Sequence, residues 1–338
     1  MPKRRGSTRF QVGKVPPFAL QRAVYPYLGR KSRSLLVGPG IGRDAAAIRY
    51  GRKVLVFSAD PITGTTTHIG SHSVHINAND IATTGARPTW YLCTILLPPG
   101  TNEESLRRIM EDMDRAAKGL GIALVGGHTE VTRGLVRPII AGFMVGETDQ
   151  DHLLSADGGH EGDTVLLTKT AGLEGTAIIA SDHADRLRNL DAETLQRARS
   201  FSEQISILKE ALRTARIRGV HAMHDPTEGG VLNGLWELAE ASNMGIEIYG
   251  DKIPVALETK AVCSALGLDP LKLMSSGSLL VAVDSSRVEA VARALNRLPV
   301  RVSEVGRLLP ADKGRYLVRG SRRQRLESVP RDELYKLA

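Results

Sequence analysis

Only 11 residues separate the glycine-spaced loop Gly38-Pro39-Gly40-Ile41-Gly42 from the apolar run that begins at Val54, and that spacing constrains the fold more than any other feature of the chain. An apolar segment, a GxGxG loop and an acid, Asp60, about 20 residues further on come close to a dinucleotide-binding fingerprint. That fold needs a right-handed crossover with its helix between two parallel strands, which takes at least about a dozen residues and usually more. The connection here is too short, so the glycines serve another purpose. Lacking Cβ atoms, they let backbone N–H groups approach an anion closely, just ahead of Asp44. Asp60 closes the β-type run VLVFSAD, and Asp80 lies inside a stretch that reads as helix from Ile69 to Thr84. Three acids delivered by three elements suit a hard divalent cation such as Mg2+, which takes oxygen ligands and shares them with phosphates. The stretch Val37–Asp80 therefore reads as a nucleotide–metal site.

A chain of 338 residues is long enough for two domains. The polar, glycine-rich stretch 147–163 marks the boundary, giving an N-terminal domain over 1–150 and a C-terminal domain over 151–338. Hydrophobic content of 42% with 24% charged residues is that of a globular protein. No run approaches the roughly 18 apolar residues of a membrane span. MPKRRGSTRF has no apolar segment after its charges, so a cytoplasmic protein is expected. Cys93 and Cys263 sit in apolar surroundings and read as small buried hydrophobes, which leaves neither a disulfide nor a Cys-based zinc site.

The net charge of +8 is concentrated at one end: residues 1–53 hold 13 Lys and Arg against a single acid, Asp44. A smaller cluster, Arg319, Arg322, Arg323 and Arg325, lies near the other end. Basic arms bind nucleic acid in many proteins, but here there is little aromatic interleaving and no nucleic-acid module. An arm over 1–33 that folds across a polyphosphate, with Lys14 as a candidate catalytic or phosphate-binding residue, accounts for the same charge.

His68, His72, His75 and Asn79 recur at helical spacing and share one face, expected to line a cleft beside Asp80, with ligation of a transition metal by the histidines as the alternative. Residues 102–119 read as an amphipathic helix capped by Asn102. ALVGGHTEV carries a strand into Gly126 and Gly127 and presents His128, Thr129 and Glu130, a fourth candidate acid. Further on, Asp225, Thr227, Gly229 and Gly230 precede a long helix whose free N–H groups and dipole favour an anion.

In order, GIGRDAAAI, SAD, NANDIATTGARP, GGHTEV, HDPTEGGVLNGLWELAE and LGLDPLKLMSSGSLLVAV resemble the aminoimidazole ribonucleotide (AIR) synthetase superfamily. That superfamily includes thiamine monophosphate kinase, selenophosphate synthetase and HypE, and the likeness is greatest to HypE-like, AIR-synthase-related proteins. It spans about Gly13 to Leu309. The resemblance implies a two-domain α+β or α/β protein: an N-terminal mixed sheet that pairs with that of a second subunit in a homodimer, and a C-terminal α/β domain. It also implies ATP in the cleft, with Mg2+ held by Asp44, Asp60 and Asp80. Gly40, Gly42, Asp44, Asn79, Gly126, Gly127, Thr129, Asp225, Thr227 and Gly229 are the nucleotide-binding candidates, Glu130 joins the metal set, and His128 is a second catalytic candidate. In this family ATP phosphorylates an amide, thiocarboxamide or phosphate oxygen of a small or protein-borne acceptor. Two departures stand out. HypE ends in a cysteine that carries the carboxamide, whereas ESVPRDELYKLA has none, and His128 stands where relatives generally place an acid. The first counts against cyanide formation by that route and the second against a thiamine-monophosphate-kinase assignment. The expected function is Mg–ATP-dependent phosphoryl transfer. The alternatives are an ATP-binding partner or regulator in a maturation complex, a thiamine-phosphate-type kinase, and nucleic-acid binding through the arm.

Overall fold

The computed structural model describes residues 9–337. The first eight residues of the basic arm lie outside them. Helix α1 (Pro17–Ala23) starts on a proline and ends well before Gly29, because Pro26 cannot continue it. Seven strands follow: β1 (Leu35–Val37), β2 (Ala45–Tyr50), β3 (Lys53–Ser58), β4 (Pro61–Ile62), β5 (Arg87–Leu97), β6 (Ala123–Val131) and β7 (Ile139–Asp149). They form one sheet of order β1-β2-β3-β7-β5-β6, with β4 on β7. Only β5 and β6 run parallel, joined by α3 (Glu103–Leu120). The predicted cap is present, Asn102 accepting the Ser105 N–H at 2.9 Å. Helix α2 (Ile69–Thr83) is buried nearly all round and packs on β7 and α3. Gly70 makes that packing possible: a Cβ there would stand 2.3 Å from the Ile109 carbonyl oxygen.

A second seven-stranded sheet has order β14-β13-β10-β12-β8-β11-β9. Its strands are β8 (Thr164–Thr168), β9 (Val220–His224), β10 (Gly245–Tyr249), β11 (Leu280–Val283), β12 (Val302–Leu309), β13 (Arg315–Arg319) and β14 (Arg322–Arg325). Only β10 and β13 pair in parallel, so both sheets are mixed and helices lie against them. The helices are α4 (Leu173–Asp182), α5 (Ala192–Ser200), α6 (Leu208–Thr214), α7 (Gly230–Ala241), α8 (Leu257–Leu266) and α9 (Val288–Leu295). Each sheet has its own core, around Val56, Ile81, Tyr91 and Ile140 in the first and Val165, Leu235, Ile246 and Leu280 in the second. Cys93 and Cys263 are buried, unpaired and apart, as their sequence context predicts.

The two halves are pinned together around α2. Asn79 donates to the Ile205 carbonyl at 2.8 Å and accepts the Ile207 N–H at 3.0 Å. Asp182 at the end of α4 accepts from the Thr65 hydroxyl at 2.8 Å and the Thr66 N–H at 3.0 Å. Among the described residues no helix is long and apolar enough to cross a membrane.

A candidate active site of gathered acids

The loop ahead of β2 lies against α7. Gly42 has φ +69°, and a Cβ on it would meet the Glu237 carbonyl oxygen at 2.8 Å, so this position requires glycine both conformationally and sterically. Asp44, two residues on, reaches His224 at the end of β9, with Oδ2 3.3 Å from Nδ1. The other ring nitrogen of His224 is 3.0 Å from Oε2 of Glu237 on α7. Burial alone would lower the His224 pKa, but Asp44 and Glu237 on its two nitrogens outweigh that and raise it to about 10. The same contact works in reverse on Asp44. Burial opposes its ionisation, but the His224 hydrogen bond and the Lys14 charge hold its carboxyl well below the ordinary range.

Asp60 follows β3. Its backbone N–H goes to Asn77 Oδ1 at 2.9 Å, and its carbonyl takes Asn77 Nδ2 at 3.2 Å and the Gly142 N–H at 2.9 Å, which fixes the backbone and leaves the carboxylate free. Asp80, on the sheet-facing side of α2, accepts from the Ser58 hydroxyl and is fully buried. Asp225 lies one residue beyond β9, and both of its carboxylate oxygens are buried with no partner. Burial and the neighbouring acids push Asp60 up to about 6 and Asp225 up to about 7, and raise Asp80 strongly. Ligand atoms of Asp44, His224 and Asp225 lie within 4.8 Å of one another. Like-charged carboxylates with unpartnered oxygens are the surroundings a divalent cation fits, since it would supply the missing counter-charge.

Lys14 enters this cluster from the N-terminal segment. Its N–H donates to Glu228 Oε2 at 2.9 Å, and its ammonium is 3.8 Å from Glu237 Oε1. Burial would lower its pKa, but Glu237, Asp44, Asp60 and Glu228 raise it, so it remains charged. A cavity of about 310 Å³ opens beside it, bounded by Gly13, Asp60, Glu174, Thr227, Glu228 and Tyr335. Burial raises Glu174 to about 7.

Several sequence expectations meet a different geometry. Asn79 spends both ends of its amide on the Ile205 and Ile207 backbone, so it joins the two halves. His68, His72 and His75 line a separate cavity of about 1,210 Å³ with Asp112 and Lys169, because their helical face points away from the one that carries Asp80. Glu130 is absent from the acid cluster of this chain. It lies on the edge strand β6, exposed, 3.1 Å from His128 and 2.6 Å from the Thr132 hydroxyl. Asp60 bonds Gly142, which pairs with Cys93, which pairs with Gly127, so the β6 motif is three ladder steps from Asp60. At about 4.8 Å per step that is roughly 14 Å. Gly126, Gly127, His128 and Thr129 share that separation on β6.

At α7 the helix start is present, with Gly229 at φ +81° as its N-cap, but its N–H is engaged. Asp332, in the chain's last described turn, takes the Gly229 N–H at 2.6 Å. Thr227 contributes its carbonyl to Gly230 and Ser275. Gly40 sits in the loop, bridged to Arg43, which pairs with Asp157. Sequence reasoning missed His224, Glu237, Glu228, Glu174 and Asp332. Of these only His224 carried a cue, standing directly before Asp225 at a strand end.

The sequence matches the descriptions "AIR synthase related protein, N-terminal domain" over residues 42–148 and "AIR synthase related protein, C-terminal domain" over 160–319. A hydrogenase expression/formation protein of Methanocaldococcus jannaschii is 33% identical over 273 residues, covering 78% of this chain and 79% of that one. The carbamoyl dehydratase HypE of Bradyrhizobium diazoefficiens is 33% identical over 266 residues, covering 77% and 75%. The fold is shared with a hydrogenase maturation protein HypE solved in complex with ATP, at TM-score 0.70 and 22% identity over 94% of this chain and 96% of that one.

Proposed function

Because the chain belongs to the AIR synthase related family, we propose that it is a Mg2+–ATP-dependent enzyme that phosphorylates an amide, thioamide or phosphate oxygen of an acceptor. The observation that carries this reading is the convergence of Asp44, Asp60, Asp80 and Asp225, with both Asp225 oxygens buried and unpartnered. Those four carboxylates would hold Mg2+, which when bound neutralises charge on a transferring phosphoryl group.

The protein's own groups have distinct roles. Lys14 and the Gly38–Gly42 loop would close over the phosphates and exclude water. His224, paired on both nitrogens, fixes Asp44 and Glu237 in place and stays protonated. Ser58 and Asn77 orient Asp80 and Asp60. No side chain needs to become covalent. Exposed β6, with a free ladder edge carrying Gly126–Glu130, is the surface on which a second copy would pair, bringing the partner's copy of that motif into play.

The test is thermal stabilisation by Mg–ATP. Wild type gains stability and Asp80→Ala does not; equal gains, or none in wild type, would refute the site. A second reading, a nucleotide-binding partner without turnover, is favoured by one observation: Asp332 already fills the anion position at the start of α7. Binding of Mg–ATP without hydrolysis in the presence of amide, thioamide and phosphate acceptors would select it.

A further inference from the structure

A second cluster of ligand-type side chains stands at the opposite end of β9 from the acids. His221 is the second residue of that strand, and Asp163 immediately precedes β8. His160 belongs to the turn that leads into Asp163. One ligand atom from each of His160, Asp163 and His221 lies within 4.8 Å of the other two. Asp163 is buried, His221 half-buried and His160 exposed.

We infer that His160, Asp163 and His221 form a binding site for a borderline divalent transition-metal ion, of the Zn2+, Co2+ or Ni2+ type. Two imidazoles and one carboxylate form a donor set suited to these ions, whereas Mg2+ takes oxygen ligands almost exclusively. His221 Nδ1 is 2.9 Å from Oδ1 of Asp163 and 2.9 Å from Oδ2. Ligand atoms about 2.0–2.1 Å from a shared ion at right angles lie about 3 Å apart. A nitrogen 2.9 Å from both oxygens fits right-angled ligands; the roughly 3.4 Å spacing of a tetrahedral site takes a shift of about half an ångström, and the ion replaces any proton that Nδ1 directs at Asp163. A plain His–Asp hydrogen bond would account for this pair, but not for the third residue. The His160 ring sits 4.2 Å from the His221 ring, centroid to centroid, tilted by 53°. That brings its nitrogen toward the same point.

The loop that carries His160 and Asp163 is held before any ion arrives. The His160 N–H donates to Asp163 Oδ2 at 2.8 Å, Gly159 N–H to the Ser242 hydroxyl at 3.2 Å, and Gly162 N–H to the Leu308 carbonyl at 3.0 Å. Gly158 runs so close to β9 that a Cβ there would stand 2.2 Å from the His221 carbonyl oxygen. Preset ligands lower the ordering cost of binding. His160 faces solvent, so the remaining coordination positions are open to water or to a ligand from outside the chain.

The probe is Zn2+ added to metal-stripped, full-length protein in excess Mg2+, to compete at the acid cluster, followed by calorimetry; Co2+ under the same conditions is followed by visible absorption. One Zn2+ per chain is expected, with a Co2+ d–d band. His160→Gln, on the exposed turn, weakens binding at least tenfold, and His221→Ala abolishes it while circular dichroism stays that of wild type. Asp225→Asn leaves the Zn2+ stoichiometry at one. Full-strength binding in His160→Gln, loss of the ion in Asp225→Asn, or no Co2+ band would each overturn the assignment.

Discussion

The Asp332 carboxylate takes the Gly229 N–H at 2.6 Å with one oxygen and the Leu334 N–H at 2.8 Å with the other, which ties the last turn of the chain to the start of α7. Asp332 is 1% exposed. Its replacement by alanine leaves two buried donors unpaired, and each such orphan costs about 1–3 kcal/mol. The urea midpoint of Asp332→Ala falls accordingly, whereas Asp332→Asn keeps one acceptor and falls less. An unchanged midpoint in the alanine variant would contradict the tie. Freed of Asp332, the α7 start also binds Mg–ATP more tightly in any preparation that stays folded.

The metal-free chain loses stability as pH rises from about 4 to 8. Asp60 titrates at about 6, and Asp225, Glu174 and Asp332 at about 7, all raised by burial above their unfolded values. A folded pKa above the unfolded one means the folded state binds more protons. That contribution is whole below about pH 4 and lost as pH climbs through 6–7. His224, raised to about 10 despite burial, adds a loss in the same direction above its unfolded value near 6.5. Asp44, depressed, opposes only below about pH 4, while His75, lowered by burial to about 4, and His72, lowered likewise, oppose up to about pH 6.5 and are outweighed by the larger number of raised acids. Thermal midpoints in EDTA fall across pH 4.5–8, and millimolar Mg2+ restores them at the alkaline end. A midpoint that climbs with pH in EDTA would overturn this account.

Asp225→Asn separates stability from binding. It removes one buried, unpartnered charge from a like-charged cluster, so the metal-free protein gains about 1–3 kcal/mol at pH 7.5. The same change takes an anionic ligand from the cation, and stabilisation by Mg–ATP shrinks. Chemical denaturation with and without Mg–ATP reads both quantities, and a loss of metal-free stability would count against repulsion.

Asn79→Ala destabilises without touching the acids. It strands the Ile205 carbonyl and the Ile207 N–H in a buried junction, a cost of about 2–4 kcal/mol. The increment in thermal midpoint on adding Mg–ATP stays that of wild type. A reduced increment would return Asn79 to the nucleotide.

Gly42→Ala acts on the loop. At φ +69° with its Cβ 2.8 Å from the Glu237 carbonyl oxygen, alanine forces the loop away from α7 and carries Asp44 from His224. Mg–ATP affinity falls at least tenfold in a chain with near-native circular dichroism. Gly40→Ala meets only the flexible Arg43 side chain and is milder.

Residues whose role follows from local chemistry were legible in the sequence. The 11-residue spacing after Gly42 forbids a crossover, and β2 and β3 do pair antiparallel. Asn102 caps α3, because a cap depends on its own next three residues. Asp44, Asp60 and Asp80 end or interrupt recognisable elements, and they do converge. Where prediction failed, the deciding neighbour was distant in sequence. The histidine face of α2 looked like part of a cleft, but periodicity gives faces of a helix and not what each face meets. Nothing near Asn79 pointed to Ile205, 126 residues away.

By itself the sequence determined α2, α3, the strands that lead into Asp60 and Gly126, the short connection that excludes a dinucleotide fold, and which acids stand at element ends, since these follow from steric and hydrogen-bonding rules over a few residues. Only the tertiary structure decided that Asp225 and His224 join Asp44, that Lys14 folds in among them, and that Glu130 stays out on β6. Those outcomes depend on which strand lies beside which, and strand order is set by packing of whole sheets rather than by any local run of residues.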